Sequence, residues 1–443
     1  MIDPNGSGRE LALSVLTSSA REKSYIDVAL KRALDASILD PREKALASRL
    51  CYGLVQNRAL LDYYIQPLSS VKLKRMHPVV LDILRLGFYQ LIFMDRIPAS
   101  AAVNTSVELA KKSGNMRASG LINAIMRRAS SESFCPPDGD SIADLSIRFS
   151  HPEWLSALFV ETLGTEGAAS LLEANNEQPP MCVRLNRLKG GMDGLTAALS
   201  AAGVEYERHP VLEDCLLLSR TGDIEMLPAF SDGLFTVQDA ASQICVLAAG
   251  AKSDENVMDA CAAPGGKSFY LADIMQNGGA ITSCDIYEHK LERIKSGAVR
   301  LGVSNIDARL WDAGEYNPEW ENKFDLVLAD LPCSGLGIIR KKPDIRYKAQ
   351  DDIKQLPDLQ KRLLGNLSRY VKPGGRLIYS TCTLNSDENQ GVVSHFLEKY
   401  SDFRAGDFEI SPEIKSEGGM LTLWPHLHRT DGFFICKMVK KST

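Results

Sequence analysis

Two apolar runs, FDLVLAD (324–330) and GRLIYST (375–381), are too continuous for half-exposed strands and too short for helices. Runs of that kind belong to strands covered on both faces, the condition of a parallel sheet flanked by helices. Other strand-length runs accompany them, ENVMDA, GAITSCD and DARLWD, with amphipathic stretches such as YEHKLERIKSGAVRLG and DIKQLPDLQKRLLGNLSRY between. This alternation predicts a doubly wound α/β domain over 230–443. VKPGG (371–375) is expected to close one of its helices and turn the chain into GRLIYST.

Ligands of an open parallel sheet lie beyond the carboxyl ends of its strands. Both runs lead there into a cysteine, Cys333 in DLPCSG and Cys382 in YSTCT, so both thiols are expected at one crevice. A third strand, ENVMDA, runs into the loop CAAPGGKS (261–268). That loop lacks the first glycine of a Walker A motif, whose place Cys261 takes, and it lacks the GxGxxG spacing of a dinucleotide site. What remains is a run of small residues through which backbone can approach a ligand: Cys261, Ala262, Ala263, Pro264, Gly265 and Gly266, closed by Lys267. Asp285 ends the next strand at a spacing that suits a ribose diol, and S-adenosylmethionine fits this set better than a nucleoside triphosphate or NAD. Asp312, after the third strand, is a candidate for the adenine side. For one such acid a helix N-cap is the simpler account, but Asp285, Asp312 and Asp330 together at one sheet edge point to a site. His426 and His428 have no third ligand nearby, so no metal is expected.

Residues 1–135 read differently. RELALSVLTSSA, YIDVALKRAL, REKALASRLCYGLVQNRALLDYYI, HPVVLDILRLGFYQLIFM, ASAAVNTSVELAKKSG and ASGLINAIMRRA carry apolar residues at helical spacing, and Asp40-Pro41 suits a helix start. An all-helical bundle is expected there, ending in the linker SSESFCPPDGD (130–140). Between 145 and 228 short mixed segments predict a small α+β module, in which Arg184, Arg187 and Lys189 could form a phosphate-binding face; a solvated strand end explains those charges almost as well.

Charge follows this division. The first 135 residues hold 19 Lys+Arg against 12 Asp+Glu, a net of +7, which leaves −12 for the rest of a chain of formal charge −5. A basic front joined to an acidic body suits an electrostatic grip for nucleic acid, and equally a lysine-rich soluble bundle. The ten cysteines include no CxxC pair, and no apolar run reaches the ~18 residues of a membrane span, so a cytoplasmic protein with reduced thiols is expected.

Taken together, DACAAPGGKS, DLPCSGLGIIRKKPDIR (330–346) and YSTCT, with VQDAASQ (237–243) before and DGFF (431–434) after, resemble the RNA cytosine-C5 methyltransferases of the RsmB/Nop2/Sun family. The front end resembles a NusB-type RNA-binding domain. The resemblance spans nearly the whole chain and implies methyl transfer from S-adenosylmethionine to carbon 5 of a specific cytosine in 16S ribosomal RNA, by a monomer without metal. It implies Cys382 as the thiol that attacks carbon 6, Cys333 as the one that assists product release, and Asp330 near ring nitrogen 3. Arg340, Lys341 and Lys342 would run beside the crevice against phosphate, with Arg184 and Arg187 as further RNA contacts. Lys267 has two open partners, a cofactor carboxylate and Asp330. Two rival readings stand beside this one: a DNA cytosine methyltransferase, which should show FxGxG near its start and Pro-Cys-Gln, and a non-catalytic RNA-binding or antitermination factor.

Overall fold

The computed structural model describes residues 6–442. Its chain divides into two compact units, Met1–Glu177 with Ile339–Lys348, and Gln178–Ile338 with Ala349–Thr443. In neither is a helix long and apolar enough to cross a membrane, among the described residues.

The first unit is helical, as the periodicity predicts. Helices Gly8–Glu22, Ile26–Ala36, Pro41–Gln56, Arg58–Leu68, Pro78–Phe93, Ala99–Lys112 and Ser119–Ala129 bury Leu13, Leu50, Leu61, Ile83, Phe88, Ile122 and Met126 in one core. Asp40 caps its helix by accepting from the N–H groups of Arg42 and Glu43, with Pro41 at the first helical position. The stretch 42–65 is two helices broken at Asn57. The helices Ile142–Arg148 and Glu153–Ala174 also belong to this unit, although a module boundary at 145 is the sequence expectation. Polar contacts hold them there: Ser150 Oγ accepts from the Leu60 N–H at 3.0 Å, and Arg148 Nε donates to the Pro137 carbonyl at 2.7 Å.

The second unit holds two sheets. Strands β1 (Met181–Leu185), β2 (Glu205–Arg208), β3 (Cys215–Ser219) and β4 (Phe235–Val237) form an antiparallel sheet in the order β2-β3-β1-β4, so the small module reaches beyond residue 228. The larger sheet combines β5 (Asn256–Asp259), β6 (Ala280–Asp285), β7 (Ile306–Leu310), β8 (Phe324–Asp330), β9 (Val371–Thr381) and β10 (Phe403–Ala405). A hairpin of β11 (Glu409–Ser411) and β12 (Ile414–Lys415) follows, then β13 (Met420–Leu423) and β14 (Phe433–Lys440). The order is β10-β14-β9-β8-β5-β6-β7, with β13 on β14; β5 to β9 pair in parallel, whereas β14 is antiparallel to β9. The sheet is therefore mixed at one edge. Its strand order reverses between β5 and β8, the position at which the connections diverge and open a crevice. VKPGG does not cap the preceding helix, which ends at Ser368; it lies inside β9, where the pairing slips between Phe324–Val371 and Leu326–Arg376.

β1 is buried on both faces. Val183 and Leu185 point into the core of the small module, while Cys182 on the opposite face joins the core of the large sheet. Arg184 shares that second face, at 1 % exposure, so it is not the phosphate contact expected of it. Its guanidinium donates to Asp273 Oδ2 at 2.6 Å, to Gln238 Oε1 at 2.8 Å and to the Leu185 carbonyl at 2.9 Å, and lies 4.3 Å from the Tyr270 ring centroid. Burial lowers the Arg184 pKa and raises that of Asp273, so desolvation outweighs mutual attraction for both. Removing one partner strands the other charge. Arg184→Met is expected to lower unfolding free energy by roughly 3–5 kcal/mol in chemical denaturation, and Arg184→Met with Asp273→Leu to recover most of that loss.

Candidate active site

The carboxyl ends of β8 and β9 meet in register, with Asp330 opposite Ser380. Asp330 Oδ1 accepts from Ser380 Oγ at 2.9 Å, and Oδ2 from Lys267 Nζ at 2.5 Å. Of the two partners open to Lys267, the structure pairs it with Asp330. Burial acts to lower the Lys267 pKa, but the neighbouring Asp330 carboxylate and Cys245 outweigh it and raise the ammonium above its ordinary value. Phe433 of DGFF lies over this cation, 5.3 Å from Nζ to the ring centroid.

Beyond the strand ends the two thiols come together. Cys333 Sγ and Cys382 Sγ are 3.3 Å apart, both half-buried. Their loops are tied by Ser334 Oγ and Thr383 Oγ1 at 2.6 Å, and by the Gly337 N–H donating to the Cys382 carbonyl at 2.9 Å. Gly337 in turn accepts from the Gly432 N–H at 2.8 Å, and a Cβ on Gly337 would sit 1.9 Å from the Gly432 carbonyl oxygen, so no side chain fits there. The Cys333 thiol is pushed well above its ordinary range by its hydrogen bond with Cys382, by burial, and by the charges of Cys382, Glu388 and Asp330.

On the other side of the crevice, β5 runs into the glycine loop. The Ala260 N–H donates to the Leu328 carbonyl and the Ala262 N–H to the Cys284 carbonyl, which anchors the loop to both neighbouring strands. Cys261 is half-buried with its thiol raised by burial, and Ala263, Pro264 and Gly266 reach the surface of the crevice to varying degrees. Gly265 adopts φ 108°, where a Cβ would stand 2.5 Å from the Phe269 ring, so this turn requires glycine. Asp285, at the end of β6, is 7 % exposed; its Oδ1 accepts from the Tyr287 N–H at 3.0 Å and lies 3.5 Å from Lys290 Nζ. Asp312 is exposed and closes its own turn by accepting from the Gly314 N–H at 2.7 Å. A loop that excludes a side chain, followed by a mostly buried carboxylate at the next strand end, fits an adenosyl cofactor.

Sequence reasoning passed over two acids. Asp259, the last residue of β5, accepts from Ser268 Oγ at 2.7 Å through Oδ2, while Oδ1 is buried with no hydrogen-bond partner. Glu388 is also fully buried, behind the thiol loops. Each lies within a quoted or adjoining motif, but burial of a carboxylate has no signature in residue type.

The cations proposed to meet RNA are arranged differently from expectation. Arg187 stays exposed but pairs with Asp214 at 2.8 Å. Arg340 is buried, and RKKPDIR belongs to the first unit. There Lys342 pairs with Asp27 at 3.3 Å, Lys341 is half-buried, and Arg346 is fully buried against the carbonyls of Gln56 and Ser150 and against Asn176 Oδ1. Desolvation draws Arg346 down to about 10. The stretch folds inward because Pro343–Tyr347 forms a short helical turn whose Ile345 packs inside, and whose Tyr347 hydroxyl donates to the Val55 carbonyl at 2.9 Å.

Burial raises Asp259 to about 6. The folded state thus keeps a proton that the unfolded chain releases near pH 4, and this favourable contribution, complete below that pH, is lost as pH rises through 6. Asp259→Asn removes the dependence. Its stability relative to the parent, each without cofactor, is expected to improve by roughly 3 kcal/mol between pH 4 and pH 7 in urea denaturation. A difference that stays flat with pH would mean that Asp259 ionises normally.

Comparison with known proteins covers the same elements. A family model described as 16S rRNA methyltransferase RsmB/F matches residues 246–439, the NusB family model matches 7–131, and a ferredoxin-like domain model of RsmF/B-like methyltransferases matches 151–225. The last begins just before the helix Glu153–Ala174, which belongs to the first unit. Probable ribosomal RNA small subunit methyltransferase B of Bacillus subtilis (strain 168) is 36% identical, over 98% of this chain and 98% of its own. The crystal structure of PH0851 matches with a TM-score of 0.82 at 25% identity and covers 99% of both chains. A methyltransferase homologue from Pyrococcus horikoshii matches with a TM-score of 0.61 at 32% identity, over 68% of this chain and 99% of its own. Similarity of this extent, with the thiol loops and the glycine loop at one sheet edge, means that the chain belongs to the RsmB/F family of 16S rRNA methyltransferases.

Proposed function

We propose that this protein methylates carbon 5 of a cytosine in 16S ribosomal RNA through a covalent cysteine adduct. The observation that carries this reading is the pair of sulfurs 3.3 Å apart beside Asp330. Carbon 5 of cytosine is a weak nucleophile, and a thiolate added to carbon 6 makes it electron-rich. S-adenosylmethionine, when bound, supplies an electrophilic methyl group on a sulfonium. Cys261–Lys267 and Asp285 are the residues that would hold it, and Asp312 the candidate for its adenine.

In this reading Cys382 is the attacking thiolate. That division follows the family resemblance, and the contact between the sulfurs leaves Cys333 within hydrogen-bond reach of the attacking sulfur. Asp330, held by Lys267 and Ser380, orients the ring at nitrogen 3. After methylation the carbon 5 proton passes to a base, the carbon–sulfur bond breaks, and Cys382 leaves as thiolate with the Cys333 S–H donating to it. The target base must leave its stack to reach these groups. Residues 1–135, with their net charge of +7, are the proposed grip on RNA.

The two thiols fail in distinguishable ways. Cys382→Ala is expected to lower methyl transfer by on the order of 10⁴-fold and to form no covalent protein–RNA species. Cys333→Ala is expected to attack but release slowly, leaving an adduct that survives a denaturing gel and disappears with ribonuclease. An adduct with Cys382→Ala would reverse the roles; none with either variant would remove covalent catalysis.

A further inference from the structure

Glu388 is 0 % exposed, six residues past Cys382, and has no part in the chemistry above. Its Oε2 accepts from the Ser334 N–H at 2.8 Å and from Gln360 Nε2 at 3.0 Å, and its Oε1 from Asn385 Nδ2 at 3.1 Å. These neutral donors come from three places. Ser334 follows Cys333, Asn385 follows Cys382, and Gln360 lies on the helix Leu356–Ser368, whose side-chain amide also donates to the Pro332 carbonyl at 2.9 Å. The Tyr379 hydroxyl, from β9, donates to the Glu388 carbonyl. One carboxylate thus gathers both thiol loops and a helix.

The choice of a charge has a physical reason. Both oxygens face donors, and an amide would turn its NH₂ towards one of them, so only an acceptor-only group satisfies the arrangement. A buried carboxylate costs several kcal/mol of desolvation, which neutral hydrogen bonds offset only in part. The charge also acts on its surroundings. Cys333 is faced by Cys382 at 3.3 Å, by Asp330 with its Lys267, by Tyr379 and by Glu388, and three of these, Cys382, Asp330 and Glu388, oppose a second negative charge there.

We propose that Glu388 is the positioning residue of the thiol pair: it clamps the Cys333 and Cys382 loops at sulfur–sulfur contact and sets a buried carboxylate beside the Cys333 loop. The roles of the two sulfurs rest on the covalent reading above, whereas the clamp and the buried carboxylate are properties of the protein without RNA.

The test uses the full chain with S-adenosylmethionine bound. The rate at which iodoacetamide alkylates Cys333 is followed against pH by peptide mass spectrometry in the parent and in Glu388→Gln, and kcat and KM for methyl transfer to RNA are measured alongside. Glu388→Gln is expected to alkylate at Cys333 at least threefold faster at a given pH, with the profile moved to lower pH, and to lose at least tenfold in kcat with KM for RNA unchanged. Gln360→Met, which loosens the clamp but keeps the carboxylate, is expected to lose kcat while the Cys333 profile does not move down. A folded Glu388→Gln protein with a parental Cys333 profile overturns the proposal, as does parental kcat in both variants. If Glu388→Gln does not fold, Gln360→Met decides alone: a fall in kcat at constant KM supports the clamp and parental kcat overturns it. A parent that transfers no methyl group to RNA sinks the functional reading instead, and leaves the alkylation result standing.

Discussion

Parallel pairing of β8 with β9 sets Asp330 opposite Ser380, and the geometry of the thiols descends from that register. A slip of one residue would turn every side chain of β9 to the other face of the sheet and carry the Cys382 loop with it. The pairing is defended by burial, since Leu377, Ile378, Tyr379 and Ser380 are all fully enclosed. Irregularity is confined to the far end, where Gly374 and Gly375 take up the surplus residues between the Val371 and Arg376 pairings. The strand can therefore be uneven where it starts and exact where it delivers the site.

Around that register the protein concentrates charge that is buried wholly, at Asp259 and Glu388, or in part, at Lys267 and Asp330. Lys267 and Asp330 satisfy one another, Asp259 shares a serine network beside them, and Glu388 is met by amides and a backbone N–H. In a low-dielectric interior such groups influence each other strongly, so the raised pKa of Cys333 is a property of the cluster. Two sulfurs of the same residue type acquire different surroundings because one comes three residues after a strand-end acid, behind a proline, and the other follows a serine and a threonine.

Much of this was readable in the chain. Apolar runs located β8 and β9, Asp40-Pro41 located a helix start, and the cysteines after two strand ends led to a common crevice, because local pattern and strand topology decide those features. Arginines were not readable in the same way. Arg184 and Arg346 have the composition of surface cations, yet one meets Asp273, 89 residues distant, and the other meets carbonyls of helix ends far upstream. What decides their burial is tertiary, namely a strand with two covered faces and a ten-residue segment folded into another unit. Glu388 was missed for the same reason, as its three donors converge only when both loops and a helix have been assembled.

The segment Ile339–Lys348 gives the chain an unusual connectivity. A polypeptide of two consecutive domains passes between them once, whereas here it leaves the second unit after Ile338 and returns at Ala349, so that the backbone is shared three times. The departure point lies only five residues beyond Cys333. Ten residues of the helical unit, Arg346 among them, are thus encoded inside the catalytic sequence, and neither unit can be cut out as a continuous piece of gene. Exchange of front ends between relatives would have to carry this insert with it, which ties the inheritance of the helical unit to that of the loop bearing the thiol.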